Sequence, residues 1–574
     1  MARLFFQRSA TVEISPEEIF LDSHNLPSYE SGSLEGRIVK PIGTRALQSL
    51  ALLFLVIGGL LFVRIVTLMV IHGNTYLALS ENNMLERSTI PAERGVIYDR
   101  NGVELAWNTT PLTATSGASK ALETRAYATT TGLGHVLGYV HLPARDAAGN
   151  WYRTTTEGIA GTELAYDTLL RGTNGIKIVE TDAHMRTVSE ELLQQPVAGT
   201  SIHLTIDALL TDALAHAIGE TVERVPFRGG AGVIMDVHSG EVLALTSYPE
   251  YDPHILLSGD ANQIATYEHD VRTPYLNRAV SGQYTPGSIV KPFVAIAALT
   301  EGIVRPETEF ISTGQIRLEN AYDPGQYSVF RDWRAHGAVD MRHALAVSSD
   351  VYFYYVGGGF GSQTGLGISR IHDYMKLFGF GAATGIPLRG EAFGIIPSIE
   401  WKAQTFPDDP TWRVGNTYHT AIGQYGFQVT PVQVVRAVAA LANGGLLIAP
   451  RLDSAHDAYA ARDLGLNQDN LAVVRDGMRL SVTEGTAVSL NVPYVDIAAK
   501  TGTAEVGAHK EFVNSWVVGY YPLKSPRYAF VCLMEQGPTG NKFGASYVMR
   551  NFFDWVHEHV PSHLDNQEVR TTDP

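Results

Sequence analysis

A continuous apolar segment near the N-terminus places the strongest limit on what this chain can be. Residues Ala46–Ile71 read ALQSLALLFLVIGGLLFVRIVTLMVI and carry one charged side chain, Arg64. As an α-helix this segment would be about 39 Å long, enough to cross the ~30 Å hydrocarbon core of a bilayer. We therefore predict one membrane-spanning helix over 46–71. A cleaved signal peptide is the alternative, but the apolar part is too long and no small-residue cleavage site follows it.

Basic residues around the span predict its orientation. Arg37, Lys40 and Arg45 lie just before it, whereas Arg64 lies inside it. The positive-inside rule then places the N-terminus in the cytoplasm and the rest of the chain in the periplasm, so we predict a single-pass protein of the plasma (inner) membrane. Arg64 either extends to the outer headgroups or contacts a polar group of a partner membrane protein. Residues 1–45 mix Pro, Ser, Gly and Glu without a period, which indicates a disordered cytoplasmic tail.

Composition excludes several classes of protein. The chain has 574 residues and 45% hydrophobic content, enough for two or three folded domains. Its net charge of −16, from 59 acidic and 43 basic residues, argues against a nucleic-acid partner. The single cysteine, Cys532, excludes an internal disulfide framework and a Cys-rich zinc site, and it lies in an apolar run typical of a buried strand. The polar residues 563–574 are predicted to be a disordered tail.

Residues 72–205 are predicted to form a β-rich pedestal domain. The segment Arg94–Gly102 ends in Asn-Gly, a pair favoured in tight hairpin turns, and Val103 begins the returning strand. A second hairpin-like segment, Ile176–Asp182, alternates apolar and polar residues. The sequence between them is rich in Thr, Gly and Ala and lacks long helical periods. We infer a spacer that lifts the following domain off the membrane.

Residues 206–562 alternate longer helices with apolar strands, which indicates an α+β domain. Helices are predicted over Ala208–Val225 and Ser288–Leu299, and a hairpin is predicted to pair Gly232–Val237 with Glu241–Ser247. Later apolar strands are predicted at 495–500, 513–521 and 528–534. Because helices separate the early hairpin from the late strands, we expect one sheet built from distant parts of the chain, with helices on both faces.

A serine and a lysine at helical spacing are the first candidates for chemistry. In Gly282-Gln-Tyr-Thr-Pro-Gly-Ser-Ile-Val-Lys, Ser288 and Lys291 would lie on one face of a helix, within hydrogen-bonding reach. A desolvated, neutral lysine can take a serine proton and create a nucleophile. Alternatively Ser288 is an ordinary helix cap and Lys291 is solvated. The spacing alone does not decide between these readings.

Two further motifs supply what a serine–lysine acyl-transfer site would still need. Ser348-Ser-Asp350 could carry a proton, although this pattern is weak because it recurs elsewhere in the chain. Lys500-Thr-Gly-Thr503 follows the predicted strand and could hold a substrate carboxylate through its cation and hydroxyls. Gly502 would let a substrate backbone approach closely. The three motifs lie about 60 and about 150 residues apart, in an order that chance rarely produces.

This ordered set resembles the Ser-x-x-Lys, Ser-x-Asn, Lys-Thr-Gly motifs of penicillin-binding proteins and serine β-lactamases. Further segments are similar to class B penicillin-binding proteins, namely Arg94–Gly102, Gly161–Gly172, Asn277–Val280, Lys291–Phe293, Thr417–Gln424 and Thr430–Gln433. Asp350 in place of the usual Asn, with Tyr352–Tyr354 and Ile371–Gly381, resembles the elongation-type penicillin-binding protein 2. The resemblance covers about residues 46–560. It implies one transmembrane helix, a class B dimerisation-like pedestal and a transpeptidase domain with a mainly antiparallel sheet flanked by helices.

The resemblance also implies an activity: cross-linking of peptidoglycan stem peptides through a serine acyl-enzyme, in cell-wall elongation and shape maintenance, with β-lactams as inhibitors that acylate Ser288. By the same resemblance Lys291 is the base, Ser348 relays a proton and Asp350 supports Lys291. The donor carboxylate would be held by Lys500, Thr501, Gly502 and Thr503, and the backbone N–H groups of Ser288 and Thr503 would form the oxyanion hole. It implies no metal or organic cofactor, and a polytopic lipid II polymerase as membrane partner.

Other functions share parts of these features. A DD-carboxypeptidase or β-lactamase would use the same motifs, but a β-lactamase is normally smaller and has no membrane anchor and pedestal. A division- or sporulation-type transpeptidase is a second alternative. A β-lactam sensor or an inactive wall-synthesis scaffold would bind without turnover. One departure bears on the site: Tyr425 stands where the family commonly has glycine, which predicts a narrower wall near that loop.

Overall fold

The computed structural model describes residues 43–77, 85–109, 124–146, 151–181, 187–319, 323, 325–454 and 461–564. The predicted tails 1–45 and 563–574 lie almost entirely outside these residues and stay predictions. The chain divides into two compact units, one of residues 1–86 with 180–186 and one of residues 87–179 with 187–574. The predicted boundary between a pedestal and a catalytic domain at 205/206 falls inside the second unit and also stays a prediction.

The described part of the first unit is dominated by the apolar helix. Helix α1 spans Thr44–Val66 and continues as a π-helical turn over Thr67–Ile71. The most apolar 18-residue stretch of these 28 residues has a mean hydropathy of 2.6, and the large apolar side chains of the helix are exposed. Within the described residues, the prediction of one helix long and apolar enough to cross a membrane is confirmed, with a start at Thr44 instead of Ala46.

The first part of the second unit is rich in short strands, as predicted. A four-stranded sheet has the order Ile202–His203, Ile97–Tyr98, Glu104–Thr109, Thr124–Tyr127, in which only the first pair is parallel. The predicted Asn-Gly hairpin is confirmed, because Asp99 N–H donates to Val103 O at 2.8 Å across the turn. The other strands and short helices in residues 85–194 are Leu85–Ile90, Val140–His141, Ala144–Arg145, Trp151–Arg153, Glu157–Gly158, Gly175–Thr181, Thr187–Gln194, Gly134–Leu137, Gly161–Ala165 and Asp167–Leu170. Of these, residues 85–86 and 180–181 belong to the first unit.

A buried ion cluster holds this β-rich part together. Glu163 accepts from Arg94 Nε at 2.6 Å and from Arg125 Nε at 2.7 Å, and these three side chains are at most 1% exposed. Arg94 also reaches Asp167 at 2.8 Å. Buried charges are tolerated only when they are paired and hydrogen-bonded in this way. The cluster therefore fixes three distant chain segments against one another.

A five-stranded antiparallel sheet forms the centre of the larger part of the unit. Its strands are β1 (Gly229–Asp236), β2 (Val242–Tyr248), β3 (Ala498–Val506), β4 (Phe512–Tyr521) and β5 (Tyr528–Pro538), in the spatial order β2-β1-β5-β4-β3. Every neighbouring pair is antiparallel. The early hairpin therefore pairs with the late strands, as predicted. One expectation was wrong: the strand predicted at 495–500 is β3, which begins at Ala498 and continues to Val506.

Side chains of each strand alternate between two cores, one on each face of the sheet. In β5, Val531 and Leu533 face the larger core, whereas Phe530, Cys532 and Met534 face the smaller one. This alternation follows from the two-residue repeat of a strand. Cys532 is fully buried, and burial raises the pKa of its thiol. The expectation of a small buried residue in a strand is confirmed.

Helices cover both faces, which confirms the α+β plan. Helix α2 (Ala208–Arg224) and helix α7 (Ala545–His559) pack on the smaller core. On the other face lie α3 (Lys291–Thr300), α5 (Pro431–Ala442) and α6 (Gln468–Thr483). The first nine residues of α3, Lys291–Leu299, are all buried, as expected of a helix that is apolar all round.

The remaining elements connect these layers. The helices are α4 (Asp350–Gly358), Pro253–Ser258, Ala261–His269, Met341–Ala346, Gly367–Leu377, Ile399–Thr405 and Val414–Ala421. The short strands are Phe310–Ser312, Gln315–Glu319, Tyr327–Arg331, Gly337–Val339, Leu446–Leu447 and Arg462–Asp463. Three 3-10 turns cover Gly287–Val290, Val488–Leu490 and Pro561–His563.

Candidate active site

Ser288 lies on a tight turn at the start of a buried helix. The helix predicted over Ser288–Leu299 is confirmed as a helical segment over Gly287–Thr300. Its first turn, Gly287–Val290, is a 3-10 turn that carries Ser288, and the α-helix begins at Lys291. Gly287 has φ +57°, and a Cβ there would lie 2.9 Å from Thr503 O. Glycine is thus needed both for the backbone conformation and for the close approach of β3. Ser288 is half-buried and lines a cavity of about 460 Å³.

Lys291 points into the protein and is fully buried. Its Nζ donates to Asp350 Oδ1 at 2.6 Å, to Ser348 O at 2.8 Å and to Ser348 Oγ at 3.2 Å. The alternative of a solvated lysine is therefore wrong. Among the residues that the structure describes, the hydroxyl of Ser288 has no hydrogen-bond partner. Lys291 therefore binds Ser348 and Asp350 of the second motif and not Ser288.

The second motif is a strained turn at the start of α4. Ser348 has φ +58°, a left-handed conformation that is uncommon for a residue with a side chain. Ser349 caps α4 by accepting from Tyr352 N–H. This turn places Ser348 Oγ and Asp350 in the wall of the same cavity as Ser288. The pairing of the first two motifs, which the sequence could only suggest, is thus present in the fold.

A buried carboxylate that the motifs did not reveal holds this turn in place. Asp332 accepts from Ser349 Oγ at 2.8 Å, from Val351 N–H at 3.0 Å and from Ser312 Oγ at 3.2 Å. Its side chain is 0% exposed. Three donors to one buried carboxylate fix the first turn of α4, and with it Ser348 and Asp350. Asp332 lies in a loop without periodicity, so its sequence carried no signal.

The third motif lies within β3, an edge strand of the sheet. Lys500 is fully buried and its Nζ donates to Thr501 O at 2.8 Å. Thr501 Oγ1 is 2.6 Å from Thr486 Oγ1, which holds that hydroxyl at the cavity. A Cβ on Gly502 would lie 2.9 Å from Pro286 O, so only glycine lets β3 approach the serine turn. The expectation that the motif follows the strand was wrong, because strand geometry continues through it.

Burial shifts the pKa values of two of these groups. Desolvation raises the pKa of Asp350, and the Lys291 charge opposes that rise only in part. The pKa of Lys500 lies well below its usual range, mainly because of desolvation and secondly because of repulsion from Lys291. Three ionisable groups therefore share a poorly hydrated region. Such perturbed groups in a cleft are typical of functional sites.

Several residues of the cavity were not predicted. Besides the motif residues, the cavity is lined by residues of loops, of strand β4 and of the start of helix α7, namely Trp333, Thr486, Val513, Ser515, Trp516, Asn541, Lys542 and Ser546. They belong to segments without a motif, and only the fold brings them together. No group of three or more His, Cys, Asp or Glu side chains in the described part of the chain is arranged to hold a metal ion.

Tyr425 does not narrow the cavity, contrary to the expectation from its sequence position. It has φ +61°, and its ring centroid lies 5.6 Å from Trp412 and 5.9 Å from Trp401. It is not among the described residues that line the cavity. Its loop supports the catalytic turn instead, because Gly423 O accepts from Gly287 N–H at 2.9 Å.

Comparison with known proteins agrees with this geometry. A model of the penicillin binding protein transpeptidase domain matches residues 230–554, and a model of the penicillin-binding protein dimerisation domain matches residues 112–204. The first match alone covers more than half of the chain and contains all three motifs. The chain belongs to the penicillin-binding protein transpeptidase family. Both matched regions together identify this penicillin-binding protein as a member of class B.

This penicillin-binding protein is similar to MrdA transpeptidases and to penicillin-binding protein 2 structures. The peptidoglycan D,D-transpeptidase MrdA of Salmonella typhimurium is 32% identical, over 77% of this chain and 73% of its own. Penicillin-binding protein 2 of Pseudomonas aeruginosa, solved in complex with WCK 5153, is 30% identical with a TM-score of 0.67, over 85% of this chain and 100% of that one. A chain of a peptidoglycan synthase complex that coordinates polymerization and crosslinking is 27% identical with a TM-score of 0.69, over 92% and 100%.

Proposed function

We propose that this chain is an elongation-type peptidoglycan D,D-transpeptidase that works through an acyl-enzyme on Ser288. The observation that carries the proposal is the single cavity of about 460 Å³ in which Ser288, Ser348, Asp350 and the Thr501–Thr503 strand meet. A nucleophile, a proton-carrying cluster and a strand with hydroxyl donors are the parts that acyl transfer from a peptide needs.

In the first half-reaction Ser288 Oγ attacks the penultimate D-Ala carbonyl of a donor stem peptide. The serine proton passes to Lys291, and the C–O bond of a tetrahedral intermediate forms. The C–N bond to the terminal D-Ala then breaks. Ser348 delivers its proton to the leaving amine and takes the proton of Lys291, whose Nζ lies 3.2 Å from Ser348 Oγ. The products are an ester on Ser288 and free D-Ala.

Lys291 can accept the serine proton only as a neutral amine, and Asp350 offers the route to that state. The carboxylate lies 2.6 Å from Lys291 Nζ, and burial raises the pKa of Asp350, which favours its protonated form. Transfer of one proton from Lys291 to Asp350 removes both charges from a poorly hydrated site. The neutral amine is then the base, and Asp350 holds the proton until the amine is needed as a donor.

The strand β3 and the serine turn would bind the donor. Thr501 and Thr503 present hydroxyl groups to the terminal carboxylate, with Lys500 behind them, and Gly502 keeps the backbone of β3 open to the substrate. The backbone N–H groups of Ser288 and Thr503 would stabilise the oxyanion. A Cβ on Gly287 would lie 2.9 Å from Thr503 O, so the serine turn and Thr503 are close neighbours. This proximity supports an oxyanion hole formed by Ser288 and Thr503.

In the second half-reaction an amine of a neighbouring stem peptide attacks the ester. The C–N bond of the cross-link forms, the C–O bond to Ser288 breaks, and the proton lost by the amine returns to Ser288 Oγ through Lys291. A β-lactam would acylate Ser288 in the same way, but its ring-opened leaving group stays attached.

The span suggests where this chemistry takes place. We propose that the N-terminus is cytoplasmic and the cavity periplasmic, and that a wall polymer-forming membrane protein is the partner. The basic residues before the span and the likeness to a chain of a peptidoglycan synthase complex support this arrangement.

Mass spectrometry after exposure to benzylpenicillin tests the proposal. We expect one adduct on the Ser288 peptide of the wild type, none in Ser288→Ala, and an unchanged adduct in the control Ser525→Ala, whose serine is an exposed turn residue. An adduct elsewhere, or in Ser288→Ala, would contradict the assignment. Release of the adduct within seconds would indicate a β-lactamase instead of a transpeptidase.

A further inference from the structure

One cationic side chain of the cavity has no role in the proposed reaction. Lys542 lies on the loop between β5 and α7 and lines the same cavity as Ser288. It is exposed, and within the described part of the chain it forms no ion pair or hydrogen bond. The flanking segment 538–546, PTGNKFGAS, contains no acidic residue.

The other two lysines of the site are not free to bind an anion from solvent. Lys291 and Lys500 are both fully buried, and their Nζ atoms already donate to Asp350 and to Thr501 O. Neither of them lines the cavity. Among the described residues that do line it, Lys542 is the one cationic side chain. Of the three, only Lys542 can therefore meet an anion from solvent without first losing a protein partner.

Lys542 and the place proposed for the terminal carboxylate lie beside different strands of the sheet. Thr503 on β3 is opposite Ser515 on β4, and Ser515 Oγ in turn accepts from Ala545 N–H at 3.1 Å, just after the Lys542 loop. β3 and β4 are adjacent strands ~4.8 Å apart, so the segment after Lys542 contacts the sheet one strand away from the threonine hydroxyls. An anion at Lys542 is thus best supplied by a different group of the substrate.

We propose that Lys542 is a specificity-determining residue that binds a second carboxylate, carried by the acyl portion of the donor stem peptide and not by its C-terminus. This inference rests on the proposed function, because it assumes that a peptide acyl donor occupies the cavity. An ammonium group paired with a carboxylate at a solvated rim makes a modest interaction that salt weakens.

Two penicillins that differ by one carboxylate test this directly. Benzylpenicillin has the ring carboxylate only, whereas carbenicillin has a second one on its acyl side chain. The measured quantity is the ratio of second-order acylation rate constants, carbenicillin over benzylpenicillin, for the full-length protein. Lys542→Gln should lower this ratio by about threefold to fivefold, which corresponds to ~0.6–1 kcal/mol.

Three controls make the result specific. Lys542→Arg keeps the charge and should keep the ratio. Lys524→Gln removes an exposed lysine from the β4–β5 turn, at the other end of these strands, and should also leave the ratio unchanged. In the wild type, 0.5 M salt should lower the ratio towards that of Lys542→Gln.

The outcomes are separable. A ratio that is the same in Lys542→Gln and wild type overturns the inference, whether both rates fall together or neither changes, because the side-chain carboxylate then makes no selective contact. A ratio that falls equally in Lys524→Gln overturns it as well. If wild type is acylated by neither penicillin, the proposed function itself fails, and the inference fails with it.

Discussion

At the scale of single residues, the site depends on charged side chains that the fold has removed from water. Lys291 is fully buried, and the side chain of Asp350 is 19% exposed and lies 2.6 Å from it. Removing one member of such a pair leaves the other charge buried without compensation, which is more damaging than removing both. The pair is therefore sensitive to substitutions that hardly change its shape.

Asp350→Asn should change the pH dependence of acylation. Desolvation raises the pKa of the Asp350 carboxyl above its usual value, so Asp350 becomes protonated at a higher pH than an ordinary carboxyl. Below that pH it cannot accept a proton from Lys291, and the wild-type rate should fall as the pH is lowered. The amide cannot titrate, so Asp350→Asn should lose this acid limb and be at least about tenfold slower at pH 7.

Stopped-flow acylation by a chromogenic β-lactam between pH 4 and 9 measures this profile. Asp373→Asn, which changes an exposed carboxylate on a surface helix, is the matched control and should keep the wild-type profile. If Asp350→Asn retained the same acid limb, another group would be responsible for it and the proton route through Asp350 would be wrong.

At the scale of elements, the catalytic turn depends on contacts between the start of α4 and a loop that precedes it. Asp332 receives hydrogen bonds from Ser349 and Val351, which belong to the first turn of the helix. The helix start is thus fixed by a residue distant in sequence, in addition to its own capping serine. The strained φ of Ser348 is held by this arrangement.

Asp332→Asn should destabilise the protein by about 1–3 kcal/mol and slow acylation by about tenfold. The three bonds named above all end on Oδ2, and Oδ1 accepts from Trp333 N–H at 2.9 Å. An amide has one acceptor oxygen, so the donors on one side lose their partner and the others lose a charged acceptor. Relaxation of the turn then displaces Ser348. Urea unfolding and acylation kinetics measure the two effects. Asp373→Asn again serves as the control, and wild-type acylation in a destabilised Asp332→Asn would show that Asp332 does not position the turn.

These elements show how far sequence reasoning reached. The apolar span, the early hairpin and helix α2 were predictable because each has a local period, and the motif residues because their spacing is distinctive. The continuation of β3 through Lys500–Thr503 was not, since polar residues and glycine are poor strand formers in isolation and the sheet imposes their geometry. Asp332 and Lys542 lie in loops, where function depends on what tertiary structure brings near.

At the scale of the whole molecule, residues 87–179 and 187–574 form one compact unit. The β-rich part and the part with the cavity should therefore unfold in one transition. The buried cluster of Glu163 with Arg94 and Arg125 lies far from the cavity in sequence, so it offers a way to test this cooperativity.

Glu163→Gln should lower the stability of the whole unit by about 3–5 kcal/mol, because two buried guanidinium groups lose their common counter-charge. Heating in detergent, with fluorescence and retained penicillin acylation as two readouts, should give one transition at a lower temperature than in wild type. Glu157→Gln, a change of an exposed glutamate, should have almost no effect. Fluorescence loss before acylation loss would show that the two parts unfold independently.

The single buried cysteine has a practical consequence. Cys532 lies in β5, between the strands β1 and β4, and faces the smaller core. A thiol there is shielded from reagents and resists ionisation, so it reacts only when the sheet opens. Since the chain has one cysteine, each labelled molecule records one opening event of the sheet. The rate of thiol labelling thus reads out how often the native protein opens at its centre, without any engineered probe.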